Sequence, residues 1–321
     1  MSSLIEQAAQ RLEQLRQAGA AMPPGRQPEP VDAGEPSVPK AGAPAPLAPP
    51  SVAPVDKPTL AAAPVPVSAS ASSKRVDLDL DALARAGIVS PTAPRSQIAD
   101  QYRVIKRPLI ANAMGRGAVK ISHGNLIMVT SSLSGEGKTF TAINLAMSIA
   151  TELNNTVMLV DADVARPSVL QRFGLPPAPG LLDVLLGEVD DLSGALLRTN
   201  IDKFSILPSG TPHARATELL ASDAMAKLLN DMATRYPDRI IIFDSPPLLL
   251  TTEARVLASH MGQIVMVVQA EKTRQSDVQH ALSTIESCPV KLLVLNQSQT
   301  GTKGGYGYGY GYGHGYEAQQ A

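Results

Sequence analysis

A doubly wound α/β fold with a mainly parallel sheet, preceded by a disordered Pro/Ala-rich linker, is what this sequence predicts. Three observations lead there. Short continuous apolar runs at 126–130, 157–160, 240–243 and 264–268 alternate with helix-patterned stretches. Strands buried on both faces read as unbroken apolar runs, and that burial belongs to parallel sheets covered by helices on both sides. The first run opens into a glycine-rich loop, Ser132-Leu-Ser-Gly-Glu-Gly-Lys138-Thr139, while the next two end on Asp161 and Asp163 and on Asp244. Finally, residues 21–75 hold about half of the chain's 27 prolines and no apolar period. Such a segment cannot bury enough apolar surface to offset its ordering entropy, so it reads as an extended linker, with a polyproline ligand motif as the other possibility.

Taken in order, residues 1–20 come first. Ser3 to Glu6 has the form of a capping box, and Ile5, Ala8, Leu12 and Leu15 follow at helical spacing. A lone helix of this length is marginal in water, so docking on a partner, back-docking on the main domain and fraying all stay open. Residues 76–120 form a helical lead-in, with a short helix over 80–86 stopped by Gly87, and a second over 100–113 interrupted at Pro108. The regular domain, residues 121–298, is expected to begin near Gly124. Its elements are a strand at 126–130, a helix at 139–153, a strand at 157–160, a loop-rich stretch, a strand at 204–207 and a helix at 216–233. Strands at 240–243, 264–268 and 291–295, with a helix over 276–285, complete the series. Residues 299–321 form a flexible Gly/Tyr-rich tail.

Composition limits the function classes. A net charge of −1 over 321 residues provides no electrostatic footprint for nucleic acid. The single cysteine, Cys288, forms no internal disulfide and fits a reducing compartment. No apolar run approaches the roughly 18–20 residues that span a bilayer, so a cytoplasmic location is expected, with any membrane role supplied by a partner.

Ligands of parallel α/β sheets bind at the carboxyl ends of the strands, where all three motif loops fall. Gly135 and Gly137 let backbone N–H groups turn toward phosphate oxygens at a helix N-terminus. Ser134, Gly135, Glu136, Gly137, Lys138, Thr139 and Phe140 are therefore the candidate nucleotide-binding residues. Lys138 is expected to reach the β- and γ-phosphates, and the Thr139 hydroxyl to bind Mg²⁺. Asp161 and Asp163 read as solvated turn residues when seen alone; beside a phosphate loop they become candidates for holding the metal or accepting a proton. Asp244 ends a buried apolar run, a costly place for a charge unless a cation compensates it. The metal set is thus Thr139, Asp161 and Asp244, and the catalytic set Lys138, Asp161 and Asp163.

These motifs carry a resemblance. Gly135 to Thr139, Val160-Asp161-Ala-Asp163 and Asp244-Ser-Pro-Pro247 resemble the three nucleotide motifs of bacterial tyrosine kinases of the capsule and exopolysaccharide type. The chain is most similar to the tyrosine autokinases associated with exosortase systems, from about Leu78 onward. Departures are Ser132 in place of the usual first glycine, Ser134 in place of a common proline, and Ala165 followed by Arg166 where arginine usually comes one position earlier. Asp100, Arg103 and Lys106 resemble the family's oligomerisation motif with charges kept and identities changed; a solvated helix face is the plain alternative. Five of the seven tyrosines, Tyr306, Tyr308, Tyr310, Tyr312 and Tyr316, resemble its autophosphorylation tail.

The resemblance implies ATP and Mg²⁺ as cofactors, a homo-oligomeric ring and a counteracting tyrosine phosphatase. It also implies activation by a membrane chain-length-determinant (polysaccharide co-polymerase) protein, which would recruit the chain to the inner face of the membrane. The function expected is tyrosine autophosphorylation regulating exopolysaccharide synthesis or export. A partition-type ATPase switch is the main alternative, disfavoured because Leu133 stands where those proteins place an extra lysine. A Gly/Tyr assembly tract is the non-enzymatic one.

Overall fold

The computed structural model describes residues 73–91, 96–235 and 238–298. All belong to one unit, Pro66–Ala321; the other, Met1–Val65, lies outside the described residues, and with it the expected N-terminal helix and most of the linker. In chain order the elements are β1 (Lys74–Arg75), α1 (Leu80–Arg85), α2 (Gln97–Ala113), β2 (Leu126–Ser131), α3 (Lys138–Ala150), β3 (Thr156–Asp161) and α4 (Val169–Arg172). Next come α5 (Leu181–Leu186), α6 (Leu192–Ala195), β4 (Leu197–Arg198), β5 (Phe204–Leu207), α7 (Ala216–Leu220) and α8 (Asp223–Arg235). The last are β6 (Arg239–Asp244), α9 (Glu253–Ser259), β7 (Gln263–Gln269), α10 (Gln275–Ser283) and β8 (Val290–Asn296).

The eight strands form one sheet in the order β1-β4-β5-β3-β6-β2-β7-β8. Every pairing is parallel except β4 with β5. The unbroken apolar runs have the expected cause. Ile127, Val129, Val157, Leu159, Ile240, Ile242, Val265 and Val267 point into one core, which they share with α2 and α3. Their neighbours Leu126, Met128, Met158, Val160, Ile241, Phe243, Ile264 and Met266 point into the other, beneath α5, α8, α9 and α10. A sheet covered on both faces is a doubly wound one.

The lead-in is more tightly joined to this domain than a start near Gly124 implies. Leu78, Leu83, Ile88, Val89, Ala99, Tyr102 and Leu109 are all buried in the same core as α3. Lys74 and Arg75, expected in the linker, pair with Leu197 and Arg198 at the sheet edge. The buried Gln263 side chain on β7 donates to the carbonyls of Leu109 and Gly124 and accepts from Asn112 Nδ2, pinning the end of α2 to the sheet.

Three further expectations are corrected. Helix α2 runs through Pro108 without interruption. The carbonyl that proline leaves unpaired is that of Val104, an exposed residue where water can serve instead. The helix expected over 216–233 is two helices, because the Ser222 hydroxyl accepts from Met225 N–H and caps the second one (3.2 Å). The supposed loop stretch before β5 contains α4, α5, α6 and β4, which are too short to show a period.

Candidate active site

The loop between β2 and α3 turns on Gly135 (φ 88°) and Gly137 (φ 96°), in the left-handed region that favours glycine. Glu136 is buried and braces the loop from within. Its Oε2 accepts from Leu133 N–H at 2.7 Å, and its Oε1 accepts from the Thr273 hydroxyl. Its carboxylate therefore shapes the cradle rather than facing a ligand. Asn296, the last residue of β8, donates from Nδ2 to the Glu136 carbonyl at 2.9 Å. The loop is thus tied to the far end of the sheet.

Lys138 opens α3, and its Nζ donates to Asp163 Oδ2 at 2.7 Å, a pair with side chains only 13% and 6% exposed. The other Asp163 oxygen accepts from Arg166 N–H at 3.2 Å. Arg166 itself is exposed, as is Ala165, and neither is among the residues lining the cleft over the loop. Asp161 Oδ2 accepts from Ser168 and Val169 N–H, both at 3.0 Å, at the start of α4. The Thr139 and Ser168 hydroxyls stand 3.3 Å apart.

Asp161 and Asp244 are register partners on adjacent parallel strands. Asp161 Oδ1 and both oxygens of Asp244 are buried without a hydrogen bond of ordinary geometry, although the Thr139 hydroxyl lies close enough to favour ionised Asp244. Burial pushes the Asp161 carboxyl up to about 6; Val169 and Ser168 N–H groups oppose this, and the Asp163 charge adds to it. Burial pushes Asp244 up to about 7, with the Lys138 charge opposing and the Asp161 and Asp163 charges reinforcing. Orphaned carboxylate oxygens beside a threonine hydroxyl are the donors a hard divalent cation takes. Among the described residues no cluster of three or more His, Cys, Asp or Glu forms a protein-only cage.

A cleft of about 500 Å³ lies over the loop, lined by Ser134, Gly135, Gly137, Lys138, Thr139 and Phe140. Six of the seven predicted nucleotide residues are thus brought together, Glu136 bracing from behind. Arg172, Asn296 and Gln297 also line the cleft. Sequence reasoning missed Arg172 and Gln297, since neither sits in a motif. Asn296 stands at the cleft wall through its bond to the Glu136 carbonyl. On the other side of α4 is a second cavity of about 440 Å³, walled by Pro167, Leu170, Leu175, Pro177 and Pro212, with Asp161 in its lining.

The oligomerisation set divides. Asp100 and Arg103 pair with each other on the exposed face of α2. Lys106 does not join them. Its ammonium is buried and bonds the Ser148 carbonyl at 2.5 Å and Glu152 at 2.7 Å, fastening α2 to the end of α3. The residue expected at a subunit contact is spent inside the subunit; the next charge on the exposed face is Arg107. The five tail tyrosines lie outside the described residues.

Fold and site together define a phosphate-loop nucleotide-binding protein, and residues 124–297 match the family model described as AAA domain. More narrowly, the chain belongs to the bacterial tyrosine-protein kinases of the capsule and exopolysaccharide type. It is 31% identical over 206 residues to the tyrosine-protein kinase YwqD of Bacillus subtilis (strain 168), covering 64% of this chain and 83% of that one. It is similar to the crystal structure of the chimerical protein CapA2B2, with a TM-score of 0.54, 26% identity, and coverage of 66% of this chain and 97% of that one. For the kinase domain of the Escherichia coli tyrosine kinase ETK the values are 0.52, 27%, 59% and 73%. The chain spans only about a quarter of several longer curated relatives. Among the described residues, no helix is long and apolar enough to cross a membrane.

Proposed function

We propose that the chain is an ATP-dependent protein-tyrosine autokinase whose acceptors are Tyr306, Tyr308, Tyr310, Tyr312 and Tyr316. The observation that carries this reading is the position of Asp161, a buried carboxylate with one unpartnered oxygen that lines an apolar cavity and is the register partner of Asp244 at the strand ends beside the phosphate loop. The cradle suits the nucleotide, and the cavity suits an aromatic ring.

In this reading, ATP phosphates lie on the backbone N–H groups of the loop and on Lys138, which exchanges Asp163 for phosphate as the nucleotide enters. Thr139 and Asp244, with Asp161 beside them, would hold Mg²⁺, which neutralises phosphate charge when bound. A tail tyrosine enters from the side of the second cavity. Its phenolic oxygen attacks the γ-phosphorus in line, the bond to the β–γ bridging oxygen breaks, and ADP leaves. A free phenol has a pKa of about 10, so its proton needs an acceptor. Asp161 and Asp163 both stay open as that acceptor: Asp161 Oδ1 has no hydrogen-bond partner, and Asp163 Oδ2 is released when Lys138 turns to phosphate.

The physiological setting is proposed on the same basis. The kinase acts in the cytoplasm as a ring, at the inner face of the membrane, with a polysaccharide co-polymerase protein as activator and a tyrosine phosphatase as counterweight. It regulates exopolysaccharide synthesis or export. Full modification would load the tail with about −8 to −10 charges, which repel when gathered around a ring and favour its dissociation.

The test is a phosphotyrosine assay with ATP·Mg²⁺ on the full chain, Lys138→Met and a variant with the five tail tyrosines changed to phenylalanine, each with and without a co-polymerase cytoplasmic segment. Tail phosphate that disappears in both variants is expected. ATP hydrolysis without phosphotyrosine under every condition would overturn the reading in favour of a partition-type switch.

A further inference from the structure

Strand β8 ends the sheet, and its outer edge pairs with nothing among the described residues. The Asn296 carbonyl accepts from Ala270 N–H on the inner side (2.9 Å). Backbone groups alternate sides along a strand, so Leu293 and Leu295 direct their N–H and C=O groups outward. Their side chains are exposed as well, at 54% and 63%, and Val104 on the neighbouring α2 is 72% exposed. A groove of about 670 Å³ runs between α2 and β8 from Gln97 to Ser298. An unpaired apolar strand of seven residues, with no proline and only Lys291 as a charge, is a template for another strand unless something covers it.

We propose that the unmodified Gly/Tyr tail of the same chain covers it, adding residues 306–312 as an antiparallel strand along β8, and that tyrosine phosphorylation releases it. Four features single out this occupant. The tail leaves from the groove itself, since Ser298 lines it and the tail begins at residue 299. Gln297 has a φ of 57°, which already bends the chain away from the strand direction. Setting Tyr306 opposite Leu295 and Tyr308 opposite Leu293 leaves the ten residues 296–305, with Gly301, Gly304 and Gly305, for the reversal. Strict alternation of tyrosine and glycine has the period of a strand.

The two faces also fit. Tyr306, Tyr308, Tyr310 and Tyr312 fall on one side, where they cover Leu293 and Leu295. The glycines fall on the side of Leu292 and Val294, which face the core shared with α2, so the added strand passes α2 without a side-chain clash. Tyrosine is a strong strand former, and aromatic–aliphatic cross-strand pairs are stabilising. A phosphate on any of these rings would set about two negative charges against an apolar surface. Docking does not depend on the kinase reading; only the release rests on it.

Amide hydrogen exchange on the phosphatase-treated full chain, without nucleotide, tests the docking against a Gly307→Pro/Gly309→Pro/Gly311→Pro variant that keeps every tyrosine and alters no residue of the folded domain. Proline fixes φ and places a ring on the side where the added strand passes α2, room that only glycine leaves, which breaks the docking. Leu293 and Leu295 amides should exchange at least tenfold more slowly in the unaltered chain, independently of protein concentration. Equal exchange in the two proteins would overturn the docking. Protection that fades on tenfold dilution would overturn the own-tail assignment in favour of a neighbour's tail or a second copy. Protection that persists in tail-phosphorylated protein would overturn the release. Absence of phosphotyrosine after ATP·Mg²⁺ would sink the kinase reading and leave the docking result standing.

Discussion

Lys138 Nζ donates to Asp163 Oδ2 at 2.7 Å, closing the cradle across the loop between β2 and α3 and the end of β3. The lysine proposed to reach phosphate is thus held by a carboxylate that it can exchange.

Removing one member of this pair leaves the other nearly buried and uncompensated. Lys138→Met should lose tail phosphorylation by at least 100-fold and also lower the melting temperature. Lys138→Met/Asp163→Asn should recover the melting temperature without the activity. Chemical denaturation of the full cycle should give a coupling of about 1–3 kcal/mol. A coupling near zero would mean that the bridge does not stabilise the fold.

Asp244 supplies a pH prediction. Its folded value, about 7, lies above the ordinary carboxylate value of 3.8, so between those pH values the folded state holds a proton that the unfolded state has lost. Stability of the metal-free protein should therefore fall as pH rises from about 4 to 7. A bound divalent cation displaces that proton, so the stabilisation by Mg²⁺ with nucleotide should grow from pH 6 to pH 8. Asp244→Asn should flatten the metal-free profile between about pH 6 and 7, leave the fall that Asp161 contributes below pH 6, raise the melting point at pH 8 and remove the Mg²⁺ response. Identical pH profiles for Asp244→Asn and the unaltered chain by thermal denaturation would contradict this.

Gly137 combines a φ of 96° with a close approach, since a Cβ there would overlap Asn296 Nδ2. Gly137→Ala should cost about 1–3 kcal/mol in backbone strain and reduce nucleotide affinity at least tenfold by calorimetry. Adding Asn296→Ala should relieve the overlap but not the strain. Full rescue by the second change would show that sterics alone forbid a side chain at 137.

Lys106 and Arg103 should behave differently although they share a motif-like spacing. Lys106→Ala removes a buried ammonium from Ser148 and Glu152 and should destabilise the monomeric domain by about 1–3 kcal/mol at any concentration. Arg103→Ala removes an exposed charge and should leave unfolding unchanged while shifting the sedimentation profile if α2 forms a ring contact. The reverse pattern would restore Lys106 to an interface role.

Much of the site was legible because its chemistry is local. Glycine spacing fixed the cradle, and apolar runs ending on Asp161 and Asp244 marked the strand ends where a charge needs a partner. The doubly wound sheet was legible for the same reason, since burial on both faces removes polar residues from β2, β3, β6 and β7. Short or exposed elements were not: α4 is a single turn, and the outer strand β8 alternates in burial, so neither Arg172 nor the open edge stands out.

The sequence by itself determined the phosphate loop, the carboxylates at the strand ends and the strict Gly/Tyr alternation, each set by residue type at fixed spacing. Only tertiary structure decided which partners distant residues take. It set Asp161 beside Asp244 and Lys138 on Asp163, and it buried Lys106 rather than exposing it. It also closed the cleft with Arg172, Asn296 and Gln297. Strand order and burial are properties of the whole packed chain, and no local window of sequence contains them.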